Sequence, residues 1–211
     1  MSETTQQIER RTVLRGAVWS APVIAAAVAM PMASASTNNA GVTWTDSTTS
    51  LADLRLLDSD TVLTANVLPT LPTEYTITNG EGAISAAATV SIRVGRPSGI
   101  NLPVGRARGF GVYSVDGVVT PPSERSVQYE SAPLIGDVGF PITNWTGTRN
   151  VSISSNGALV VPVEFGLTGT NSGITVQLLS NFPVTLTVDF GDGAAYTASS
   201  NISVPIGAGV L

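Results

Sequence analysis

The chain contains no cysteine, no histidine and no lysine, and only 12% of its 211 residues are charged. Each absence removes a class of chemistry. Without cysteine no disulfide can form, even in an oxidising compartment. Without histidine or cysteine, Ser-His-Asp and Cys-His catalysis and the usual zinc and copper ligands are gone. Without lysine, Schiff-base chemistry and the phosphate-loop lysine are gone as well. What remains for catalysis is a pair of carboxylates, the machinery of glycoside hydrolysis. Aromatic residues make up 6% of the chain, whereas glycine (21) and proline (13) are plentiful.

The first 35 residues read as an export address in three parts. A polar segment with Arg10, Arg11 and Arg15 comes first, then a helical, alanine-rich apolar run over 16–32, then Ala33-Ser34-Ala35. Arg10-Arg11-Thr12-Val13-Leu14-Arg15 resembles the twin-arginine signal family, with Arg10 and Arg11 as the pair, Val13-Leu14 as the apolar positions and Arg15 as the basic one. That resemblance implies a folded substrate of the twin-arginine translocase and cleavage by a signal peptidase after Ala35, leaving Ser36 first. A protein that folds before export gains its stability without disulfides, which suits a cysteine-free chain. Pro22 and Pro31 interrupt the apolar run, and a spanning helix needs about 20 apolar residues, so no stable membrane anchor is expected. All ten basic residues are arginine, a usage that resembles that of high-GC actinobacteria.

Removing 1–35 takes away Arg10, Arg11, Arg15, Glu3 and Glu9, leaving seven arginines against thirteen carboxylates and a net charge near −6. That balance excludes nucleic acid as a general partner, because phosphate backbones are bound through lysine and arginine. A chain of this size buries roughly 70% of its unfolded surface, enough for a substantial core.

The mature segment, 36–211, is expected to be an all-β, antiparallel β-sandwich, immunoglobulin-like or jelly-roll-like. Leu159, Val161, Val163 and Phe165 alternate with polar or outward positions, as do Ile174, Val176 and Leu178, then Leu186, Val188 and Phe190, then Val90, Ile92 and Val94, and Tyr75 with Ile77. Asn79-Gly80, Asp116-Gly117, Asn156-Gly157 and Asp192-Gly193 supply turn signals. Ser50–Leu57 fits either two helical turns or a strand. Proline and glycine between Arg96 and Gly111 mark either a boundary between two small domains or a long crossover within one.

Four of the seven mature arginines, Arg93, Arg96, Arg106 and Arg108, fall in a stretch free of acidic residues. They form a candidate patch for an anionic partner such as a cell-envelope polymer or an acidic protein. The competing reading pairs them with carboxylates brought close by the fold. Asp189-Phe190-Gly191-Asp192-Gly193 resembles the signature of polycystic-kidney-disease type immunoglobulin-like domains, which are extracellular sandwich modules often linked to carbohydrate or adhesion. The alternative is a strand ending in a hairpin. Asp189 and Asp192 are the candidate ligands should calcium bind; no other cofactor is expected.

Together these readings describe a secreted or loosely surface-associated, non-catalytic β-sandwich with a binding, adhesion or structural role. The alternatives are a carboxylate-dependent glycoside hydrolase and a subunit that assembles with itself by strand addition.

Overall fold

The computed structural model describes residues 39–49, 53–58, 62–64, 69–98, 101–134, 136–170, 174–177 and 180–204. The export address therefore lies outside the described residues. These all belong to the unit Thr37–Leu211. Their strands are β1 (Gly41–Thr49), β2 (Asp53–Arg55), β3 (Val62–Thr64), β4 (Thr70–Thr78), β5 (Ile84–Val94), β6 (Asn101–Val104) and β7 (Gly109–Val115). There follow β8 (Val118–Val119), β9 (Arg125–Ala132), β10 (Gly136–Ile153), β11 (Ala158–Thr168), β12 (Ile174–Gln177), β13 (Ser180–Asp189) and β14 (Ala195–Val204). One 3-10 turn, Pro122–Glu124, precedes β9, and no described helix is long and apolar enough to cross a membrane.

The fold is all-β and antiparallel. Ten strands form one sheet: nine follow the path β8-β7-β11-β4-β14-β13-β5-β10-β9, and β1 is added to β4. A single register pair, Ser203↔Thr70, joins β14 to β4. At that joint the path turns back, so β9, β10, β5, β13 and β14 form one layer and β1, β4, β11, β7 and β8 form the other. The far ends approach as well: the Thr143 hydroxyl donates to the Phe110 carbonyl at 2.6 Å, tying β10 to β7. β2 with β3, and β6 with β12, make two small separate sheets.

Period-two alternation accounts for the core. Val90, Ile92 and Val94 on β5 stand opposite Val188, Leu186 and Val184 on β13, and all six are buried. Val161, Val163, Phe165 and Leu167 supply the facing row on β11. One ring contact bridges the layers, Phe110 on β7 lying edge-on to Phe182 on β13 at 5.0 Å, and within its own layer Phe182 also meets Phe140 of β10 at 5.4 Å. Trp145 is buried, its indole N–H donating to the Glu124 carboxylate at 2.9 Å.

Turn chemistry follows the sequence at Asp116-Gly117, where φ of 54° and 71° gives the two-residue hairpin joining β7 to β8. Asn79-Gly80 does something else. Asn79 is buried, and its amide donates to the Ser154 carbonyl at 3.3 Å and to that of Gly82, pinning two loops together. Within the ambiguous Ser50–Leu57 stretch, Asp53–Arg55 is a strand. β5 and β7, at either end of the 96–111 stretch, belong to the same ten-stranded sheet.

A candidate cleft and an arginine cluster

The outer surface of the β7–β11 seam carries a bare pair, Gly111 opposite Gly166. A Cβ at Gly166 would stand 2.5 Å from the Arg55 carbonyl, and one at either glycine would stand 3.3 Å from the Leu57 side chain. The missing side chains therefore make a trough, and the segment 55–58 lies across it as a strap. Leu57 fills the trough and is buried. Its N–H donates to the Leu167 carbonyl at 2.8 Å. Its carbonyl accepts two N–H groups from Arg125, each at 3.2 Å. Both backbone groups of Leu57 are thus engaged on opposite sides.

Beside this strap is a cleft of about 470 Å³, walled by residues 55–58 on one side and by Tyr113, Val119 and Pro122 on the other. The guanidinium of Arg55 lies 5.2 Å from the centre of the Tyr113 ring, and one of its N–H groups donates to the Tyr113 hydroxyl at 3.3 Å. Asp58 is exposed, and one of its oxygens accepts a long hydrogen bond, 3.4 Å, from the Thr168 hydroxyl. Val119 is 54% exposed. The cleft so combines a cation, a carboxylate, a phenol and an apolar wall. The sequence reading missed it. The available signal was the repeated glycine in Gly109-Phe110-Gly111, which marks a strand whose outer face something else must cover.

Three of the four sequence-selected arginines lie on or beside chain segments that meet elsewhere. The backbone from Gly105 to Gly109 runs beside Gly139–Pro141: the Ala107 N–H donates to the Gly139 carbonyl and the Gly139 N–H to the Gly105 carbonyl, both at 2.9 Å. Arg106 extends from this crossing over the Tyr129 ring at 5.8 Å. The Nε–H of Arg96 donates to the Phe140 carbonyl at 3.2 Å. Arg108 is half-buried and its Nε–H has no hydrogen-bond partner. Neither Arg96 nor Arg108 makes an ion pair among the described residues. Arg93 stands apart on the outer face of β5, exposed, opposite Asn144 and Thr185.

Asp189 and Asp192 occupy the β13–β14 hairpin. The Asp189 carboxylate accepts the Gly191 N–H at 2.7 Å and that of Asp192 accepts the Ala194 N–H at 3.1 Å. These are Asx turns, and Gly191 and Gly193 take the positive φ the loop requires. No group of three or more histidine, cysteine or acidic residues suited to a metal occurs among the described residues. Other carboxylates tie neighbouring strands: Glu164 accepts the Ser114 hydroxyl at 2.9 Å, and Glu74 accepts that of Thr45 at 3.2 Å.

No family model and no curated protein matches the chain. A solved structure of AvmM, described as catalysing macrocyclization in alchivemycin A biosynthesis, is similar with a TM-score of 0.38 and 9% identity, over 83% of this chain and 93% of that one. Likeness at that level carries no argument about either chain's chemistry.

Proposed function

We propose that this chain is an exported, non-catalytic β-sandwich protein of the cell surface that holds an anionic envelope polymer. The observation that carries the reading is that Arg106 and Arg108 sit on the segment running beside 139–141, to which Arg96 also bonds, with Arg96 and Arg108 lacking ion pairs among the described residues. A half-buried guanidinium without a counter-charge loses solvation that an anion restores, and charge-assisted hydrogen bonds to a carboxylate or phosphate are about twice as strong as neutral ones. Within a net acidic chain, such a patch also selects where a polyanion approaches. The carboxylates act as strand ties and turn caps, work that suits a binding module better than acid–base chemistry.

The test is retention of the purified chain on isolated cell walls across a salt series, comparing wild type with the Arg106→Gln/Arg108→Gln double variant. Salt-sensitive retention that falls at least tenfold in the variant is expected. Retention that is unchanged and indifferent to salt sinks the reading.

A second reading, self-assembly by strand addition, is favoured by β9. It ends the path, spans eight residues and leaves Val127 41% exposed, with no proline or lysine to blunt the edge. Light scattering that found only monomers at high concentration would remove it.

A further inference from the structure

We infer that the cleft beside the strap is a second, separate binding site, built for a sugar residue that carries a carboxylate. Its walls are formed before any ligand arrives. Leu57 is fixed through both its N–H and its carbonyl, and the Gly111–Gly166 trough seats its side chain, so little ordering is left to oppose binding. At about 470 Å³ the space lies within the range of small-molecule sites.

The chemistry of the walls selects the ligand. Arg55 is held against the Tyr113 ring and makes no ion pair among the described residues, which leaves its planar fork available to a carboxylate. Asp58 lines the same space and has acceptor capacity beyond its single long bond to Thr168, which suits ligand hydroxyls. Val119 and Pro122 offer an apolar surface to the C–H face of a sugar ring. A ligand with an acid at one end, hydroxyls at the other and an apolar ring face between them meets all three. A peptide carboxyl terminus fits less well. Such peptides are captured through backbone groups, and those of Leu57 are already consumed by Leu167 and Arg125.

The experiment titrates the purified chain with a glucuronic-acid-containing disaccharide, its neutral glucose counterpart and a short peptide with a free carboxyl terminus, followed by calorimetry and amide chemical shifts. Saturable binding of the acidic disaccharide is expected, with the neutral one at least tenfold weaker and the shifts centred on 55–58 and Tyr113. Arg55→Gln should cost at least tenfold in affinity and Asp58→Asn several-fold. Both positions are exposed, and an unchanged amide spectrum elsewhere will show that each variant folds. The Arg106→Gln/Arg108→Gln variant should bind the disaccharide as wild type does, so failure of the wall-binding reading and failure of this one are told apart. Equal affinity for the neutral sugar, preference for the peptide, no binding to wild type, or undiminished binding by Arg55→Gln would each overturn the proposal.

Discussion

The β5–β13 seam and the β7–β11 seam are built from the same antiparallel geometry, yet their outer and inner faces are used differently. At β5–β13 the inward row is Val90, Ile92 and Val94 against Val188, Leu186 and Val184, all apolar and all buried. At β7–β11 the inward row is equally apolar, with Leu167 opposite Phe110 and Phe165 opposite Val112. There, however, the outward row surrenders its side chains at Gly111 and Gly166 and receives a strap of polar-flanked backbone in their place. The first seam is stability alone. The second gives up side-chain packing of its own to seat another segment, and the cleft is the consequence.

If that division is right, damage to the two seams should be felt in different observables. Leu186→Ala empties a fully enclosed site and should cost about 2–5 kcal/mol of global stability in denaturant unfolding, with the cleft unaffected. Gly166→Ala places a methyl 2.5 Å from the Arg55 carbonyl and should cost less, about 1–3 kcal/mol. Its effect should be local. Hydrogen exchange at the Leu57 N–H should accelerate, since lifting the strap breaks its bond to Leu167. A Gly166→Ala variant that lost global stability yet kept Leu57 protected would show that the strap is not separable from the seam, and the contrast would fail.

The regular part of this architecture was legible in the sequence, because strand burial has a period of two and needs no knowledge of partners. β5, β11 and β13 lie where alternation places them, and Asp116-Gly117 makes the tight hairpin its residues favour. The strap was not legible. Leu57 is held by Leu167 and Arg125, far along the chain, while Asp53–Arg55 pairs with Val62–Thr64, and no local pattern separates a short strand from two helical turns. Asn79-Gly80 carries a turn signature, but burial and the Ser154 carbonyl make Asn79 a pin between loops. The arginine cluster was half legible. Nearness in sequence suggested Arg96, Arg106 and Arg108, while the Tyr129 ring beneath Arg106 and the separation of Arg93 depend on pairing with β10.

The smallest expected effect concerns how dry the strap-bearing layer is inside. Tyr75 on β4 is buried, edge-on to Trp44 at 5.9 Å, and burial pushes its hydroxyl up to about 12, with the Arg149 charge pulling down and the Asp116 carboxylate pushing further up. Below pH 10 the phenol is neutral in folded and unfolded chains alike and its contribution is fully present. Between pH 10 and 12 the unfolded chain ionises while the folded chain keeps its proton, so stability falls as pH rises through that window. The slope from this one group is at most about 1.4 kcal/mol per pH unit. Tyr75→Phe should leave stability near pH 8 within about 1 kcal/mol of wild type and make the decline above pH 10 shallower, as read from denaturant midpoints at successive pH values. A variant that declined as steeply as wild type would mean that Tyr75 titrates in the folded chain near its ordinary value. Water would then reach the core at this end of β4, and the two layers would differ in their interiors as well as in their outer faces.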